Sequence, residues 1–226
     1  MTACGVLWDM DGVLVDTGDL HFQTWRSILG EWGIDLTYEL FRSTFGMINA
    51  EILPMWFARP LQEYEIEQIS AAKEARFRSA ARGRVQALPG VRLWLDRFYN
   101  QGYPQAIASS ATVENIDLLV DELGIRQYFQ ALVSGTTLPG KPDPAVFVEA
   151  ARRVGLPPER CIVIEDSVAG VEAAARAGMK CLAVTNTYPA SALSGASLIV
   201  ERLDSLSPDQ FCSWLDGAET SIPLHR

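Results

Sequence analysis

Two aspartates separated by one residue, Asp9 and Asp11, follow the apolar run 6–8 and lead straight into Gly12. Carboxylates this close repel each other and stay ionised together only beside a cation. A second acidic pair, Glu165 and Asp166, leaves the apolar run 162–164 in the same way. Between the two pairs lie the hydroxyls Ser109 and Ser110, and an amine, Lys141, in the sequence Gly140-Lys141-Pro142. Four carboxylates, a hydroxyl and an amine make the oxygen-rich set that suits magnesium, which prefers near-octahedral oxygen ligation and retains waters. Each piece also has a plainer reading. The first pair suits an Asp-Gly turn, Ser109 a cap for a helix beginning near Thr112, and Lys141 a solvated loop. Glu165 and Asp166 suit the acidic start of a helix near Val168. Their occurrence together, in this order and each at the end of a strand-like run, favours the joint reading.

The elements that must position them follow from periodicity. The run 6–8 reads as a buried parallel strand, apolar rather than alternating. Residues 19–82 read as helical: His21, Phe22, Trp25, Ile28, Leu29 and Trp32 recur at helical spacing, and 61–82 is rich in helix formers. Leu88-Pro89-Gly90 punctuates the chain. Beyond it, helices at 91–101, 113–123, 144–154 and 168–177 alternate with strands at 105–109, 131–134, 161–165 and 180–185. That alternation implies a parallel sheet covered by helices, with right-handed crossovers. The expected fold is therefore α/β, a Rossmann-like parallel core of residues 1–17 and 86–226. An all-helical cap, residues 18–85, is inserted after the first strand and sits over the carboxyl edge where such sheets bind ligands. Residues 217–226 are weakly patterned.

The chain resembles the haloacid dehalogenase superfamily of aspartyl phosphotransferases, in the branch of β-phosphoglucomutase and its sugar-phosphatase-like relatives. The residues that carry the resemblance are 9–17 (DMDGVLVDT), Ser109, 140–144 (GKPDP), 165–171 (EDSVAGV), Ala173-Ala174 and Ala177-Gly178. It implies that Asp9 is a nucleophile forming an aspartyl-phosphate. Asp11 protonates the leaving oxygen and then deprotonates the attacking water, and its backbone carbonyl is a metal ligand. Mg2+ would be held by Asp9 and Asp166 with Glu165 in or near the shell. Ser109 and Lys141 would hold the phosphoryl oxygens, and Gly12 would let the backbone turn sharply beside them. His21 and Trp25, four apart on the first cap helix, match substrate-facing positions, as does Lys73; a plain helix-packing face is the alternative for the first two. Ser110 and Asn115 are further candidate substrate contacts, and Asp16 and Thr17 are hinge candidates.

Within that family the proton donor at Asp11 argues against dehalogenation and for phosphate-ester chemistry. Phosphonoacetaldehyde hydrolysis needs a cap lysine, and Lys73 is the single lysine of the cap. A Mg-dependent phosphatase of a sugar or polyol phosphate is the expected activity. A sugar-phosphate mutase and a non-catalytic metabolite-binding protein are the alternatives. The mutase carries an arginine after a cap-loop glycine for its second phosphate. The stretch 45–53 (FGMINAEIL) has none, with Arg76 or Arg78 as the possible replacements.

Composition narrows the partners. The 226 residues are 48% hydrophobic and 21% charged, with net charge −9 and no basic run. A non-specific grip on nucleic acid is disfavoured, so local cations must hold an anionic substrate. No stretch approaches the roughly 20 apolar residues of a membrane span, and a strand beginning so near Met1 leaves no room for a signal peptide. Cys4, Cys161, Cys181 and Cys212 lack metal-site spacing, as expected for structural thiols in a reducing cytoplasm. A monomer acting on a small phosphorylated molecule is expected.

Overall fold

The structure is a computed structural model that describes residues 4–44 and 47–216; the weakly patterned stretch 217–226 lies outside them. Six strands, β1 (Gly5–Trp8), β2 (Gln105–Ser109), β3 (Ala131–Ser134), β4 (Cys161–Glu165), β5 (Lys180–Val184) and β6 (Leu198–Val200), form one sheet in the order 3-2-1-4-5-6. Every pairing is parallel. β1 is central, with Leu7 opposite Ala106 on one side and Val163 on the other. Its neighbours β2 and β4 therefore finish beside it, and three strand ends deliver side chains to one spot.

Helices cover both faces. α5 (Val91–Asn100), α6 (Val113–Leu123) and α9 (Pro208–Leu215) pack on one side, where Trp8, Trp94, Phe98 and Phe211 share a core. α7 (Ala145–Arg153) and α8 (Val168–Arg176) cover the other through Phe147, Ala150, Val171 and Ala174. Strands buried on both faces read as continuous apolar runs, which is why they stand out in the sequence.

The cap consists of α1 (Gly18–Glu31), α2 (Tyr38–Ser43), α3 (Asn49–Phe57) and α4 (Glu63–Ala81). It has its own core of Trp25, Ile28, Leu29, Leu53, Trp56 and Ile69. The chain enters and leaves it through adjacent backbone: Val15 bridges Ala87, and the Leu88 N–H donates to the Leu14 carbonyl at 3.0 Å. On the far side Arg42 of α2 donates to the Thr187 carbonyl at 2.5 Å, and the Tyr188 hydroxyl donates to the Arg42 carbonyl at 3.1 Å.

The elements expected at 91–185 are present, with ends shifted by a residue at most. β6 and α9 were not anticipated. β6 is only three residues long, and α9 opens on a Ser207–Gln210 capping box with Pro208 at its first turn. The plainer capping readings of Ser109 and of Glu165 and Asp166 do not hold. Thr112, not Ser109, caps α6, and Ser167, rather than either acid before it, caps α8.

Candidate active site

Asp9 is fixed where β1 ends, its N–H donating to the Ile164 carbonyl of β4 at 3.0 Å. The chain then loops tightly. The Met10 carbonyl accepts from Leu14 and Val15, and Gly12 adopts φ +86°, a conformation costly for any residue with a Cβ. A methyl at Gly12 would also overlap the Asp166 carboxylate. The Asn186 side-chain amide, from the loop after β5, donates to the Gly12 carbonyl at 2.8 Å.

Lys141 reaches this edge as a buried side chain, not a solvated one. Its Nζ lies 2.5 Å from Asp9 Oδ1 and 2.6 Å from Glu165 Oε1, over the Phe147 ring. The other Glu165 oxygen, Oε2, accepts from the backbone N–H groups of Asp166 and Ser167, both at 2.7 Å. Gly170 makes room for this carboxylate, since a methyl there would overlap it.

Asp9, Glu165 and Asp166 are all buried and each offers an oxygen within 4.8 Å of the others. One ammonium faces three carboxylates, so negative charge is in surplus. Burial, with Glu165 and Asp11 adding to it and Lys141 opposing, pushes Asp9 up to about 7. Burial and its acidic neighbours push Asp166 well above the ordinary carboxylate range. Burial would lower Lys141, but Asp9 and Glu165 outweigh it and hold the ammonium charged. Asp166 Oδ2 is buried without a hydrogen-bond partner. An all-oxygen donor set with surplus charge and an orphaned carboxylate oxygen fits a hard divalent cation such as Mg2+.

Asp11 turns the other way, toward the cap, and its side chain is not among these ligands. The Thr17 hydroxyl donates to Asp11 Oδ1, and His21 Nε2 lies 3.5 Å from the same oxygen. Lys73 Nζ is 2.8 Å from His21 Nδ1. An ammonium only donates, so Nδ1 accepts and the ring proton sits on Nε2, facing Asp11. Burial tends to raise Asp11, but His21, Thr17 and Lys73 together hold it below its ordinary value. Burial and Lys73 lower His21, consistent with a neutral ring. Lys73 also donates to Glu74 Oε1 at 2.9 Å and lies 5.0 Å from the Trp25 ring. Glu74 in turn accepts from Asn49 at 2.9 Å and from Asn115 of α6 at 2.6 Å, joining cap to core.

Asp11, His21, Trp25, Lys73, Ser110 and Asn115 all line a cavity of about 350 Å³ between cap and sheet edge. Ser109 is buried at the end of β2, its Oγ accepting from the Ala111 N–H at 3.1 Å, and is not on that wall. Neither arginine proposed as a second phosphate clamp is on the cavity wall, although Arg78 reaches Asn115, which is. Arg76 donates to Ser27 and Glu31, both at 2.8 Å, and Arg78 to Asn115 at 3.0 Å. Reading the sequence also missed Glu74, Asn186 and Thr187, the last beside Asp166 and opposing its raised value. Glu74 sits among the many charged residues of α4, and only its burial sets it apart.

Residues 6–184 match the family described as "Haloacid dehalogenase-like hydrolase". The chain is 32% identical over 209 residues to the Arabidopsis thaliana chloroplastic 5-amino-6-(5-phospho-D-ribitylamino)uracil phosphatase, covering 90% of this chain and 55% of that longer protein. It therefore spans about half the length of that relative. It is 30% identical over 210 residues to Bacillus subtilis β-phosphoglucomutase, covering 89% and 91% of the two chains. In fold it matches the Clostridium difficile β-phosphoglucomutase structure with a TM-score of 0.86 at 23% identity, over 95% and 98% of the two chains.

Proposed function

Because the chain belongs to the haloacid dehalogenase-like hydrolase family, we propose that it is a Mg2+-dependent phosphatase of a small sugar or polyol phosphate. The observation that carries this reading is the pairing of Asp9, held against Lys141 in the acidic cluster, with Asp11, held apart from that cluster and turned to the cavity. Lys141 and a bound divalent cation favour the ionised form of Asp9, while Asp11 faces the cavity where a leaving group would lie.

Asp9 attacks the phosphorus, the ester P–O bond breaks, and Asp11 gives its proton to the departing alcohol. Asp11 then takes a proton from water, which attacks the phosphorus of the aspartyl-phosphate and regenerates Asp9 with release of phosphate. In the free protein Asp11 is held ionised; an arriving phosphoryl dianion acts in the opposite direction and favours its protonated form. Lys141 and Ser109 hold the phosphoryl oxygens, and Thr17 and His21 orient Asp11. Mg2+, held by Asp9 and Asp166 with Glu165 beside them and the Asp11 backbone carbonyl as a further ligand, would supply charge that offsets repulsion between carboxylate and phosphate.

A mutase of the β-phosphoglucomutase type would pass through the same intermediate but must also grip a second phosphate. Neither Arg76 nor Arg78 lines the cavity, which favours the phosphatase. The test is phosphate release from sugar and polyol phosphates with Mg2+, with glucose 6-phosphate formation followed from β-glucose 1-phosphate and the 1,6-bisphosphate. Free phosphate without isomer is expected; bisphosphate-dependent isomer with little phosphate would overturn the reading. Asp9→Asn should lower turnover by about a thousandfold or more, and an active variant would remove the nucleophile assignment. A parent chain that releases no phosphate from any of these compounds would favour a binding protein over an enzyme.

A further inference from the structure

No motif of the sequence points to the loop that leaves β3, yet its Thr136 lines the same cavity as Asp11 and Ser110. The loop is held firmly. Ser134, the last residue of β3, lies in register with Ser109 at the end of β2. Gly135 is buried, and its N–H donates to the Ser109 carbonyl at 2.7 Å. A methyl on Gly135 would come within 3.3 Å of that oxygen. The Gly135 carbonyl accepts from the Leu138 N–H at 3.0 Å and closes a turn. Thr136 is exposed, but its backbone is thereby fixed against the strand end that carries Ser109.

Hydrogen counting gives the Thr136 hydroxyl a direction. The Ser134 hydroxyl donates to the Ala111 carbonyl at 2.6 Å. A serine hydroxyl has one hydrogen, so in its 2.9 Å contact with Thr136 Oγ1 the threonine is the donor. The Thr136 N–H donates to the same serine oxygen at 3.3 Å. Both polar hydrogens of Thr136 thus point at Ser134, and Oγ1 offers a ligand only lone pairs. Acceptors dominate elsewhere on the wall too. Glu67 and Glu74 present carboxylates, and the Lys73 ammonium gives two of its three hydrogens to Glu74 and His21. An alcohol hydroxyl can donate to Thr136 Oγ1; a bare methylene, an ether, a ketone or an ionised phosphate cannot.

Resting on the phosphatase reading, we propose that Thr136 is a specificity-determining residue. Its Oγ1 accepts a hydrogen bond from one hydroxyl of the departing alcohol, on a carbon other than the ester carbon. Ser134 fixes the polarity of that contact, so the site selects alcohols by what they can donate.

The experiment measures kcat/KM, with Mg2+, for glucose 6-phosphate, glucitol 6-phosphate and ribose 5-phosphate. Each is compared with its monodeoxy forms, one hydroxyl removed at a time, for the parent protein, Thr136→Val and Thr136→Ser. For the substrate hydrolysed best, one deoxy form should fall about tenfold in the parent protein. Thr136→Val should lower the full substrate by about the same factor and leave that deoxy form unchanged, since the two losses remove one contact. Thr136→Ser should retain the preference. A Thr136→Val loss equal for every substrate would mark a role in loop structure and overturn the proposal, and so would no loss at all. Either result leaves the phosphatase reading intact. Activity confined to phosphates without a further hydroxyl would likewise overturn only the proposal. Phosphate release from none of these compounds or any other organic phosphate tried would overturn both.

Discussion

Asp9 and Asp11 are two residues apart, yet they are held in opposite protonation tendencies. Burial among Glu165 and other acids raises Asp9, whereas the Thr17 hydroxyl and the His21 ring hold Asp11 down. His21→Gln removes part of what lowers Asp11, so its carboxyl keeps a proton to higher pH. In the proposed first step Asp11 carries that proton, so the alkaline decline of kcat/KM should move to higher pH in the variant. A pH–rate profile on a good substrate measures this, and an unmoved alkaline limb would remove His21 from the role. The carboxylates, Ser109 and Lys141 were legible in the sequence because each follows an apolar strand or lies in a short motif. Glu74 was not, because a buried carboxylate on a charged helix has the same letter as an exposed one. Arg76 and Arg78 show the converse: arginines placed in the cap by sequence are committed to Glu31 and Asn115.

At the scale of elements, the strand ends decide which side chains meet. β1, flanked by β2 and β4, brings the strand ends that carry Asp9, Ser109 and Glu165 side by side, although Asp9 and Glu165 are 156 positions apart in the chain. The long apolar runs made those strands readable. β6 and α9 were missed because three residues carry no period and the helix is barely two turns. α8 matters beyond its packing, because its Gly170 lies under the Glu165 carboxylate. Gly170→Ala should destabilise the fold by about 1–3 kcal/mol through overpacking, read from urea unfolding. It should also weaken Mg2+ binding, because Glu165 must move. Unchanged stability and metal affinity would contradict the close approach.

For the whole molecule, the surplus of buried carboxylate ties stability to pH and metal. Asp9 has an ordinary value of 3.8 and is raised to about 7 in the folded protein. Between those values the folded state holds more protons than the unfolded one, so this group's stabilisation is present at low pH and is lost as pH rises toward about 7. Bound Mg2+ requires the ionised form and reverses the balance. Saturating Mg2+ should therefore raise Tm more at about pH 8 than at about pH 5.5. Equal gains at both, measured by thermal unfolding, would show that the cluster is not the metal's site. A different consequence follows from the way the chain crosses to the cap and back, with Val15 bridged to Ala87 and Leu88 bonded to Leu14. Because outgoing and returning backbone lie side by side, the helices between them form a replaceable cassette. Insertions, losses or wholesale exchange of that segment alter the ends of no strand. Exchange of that segment would change which molecules fit and, through His21, the setting of Asp11, while Asp9, Lys141, Glu165 and Asp166 stay where the core holds them.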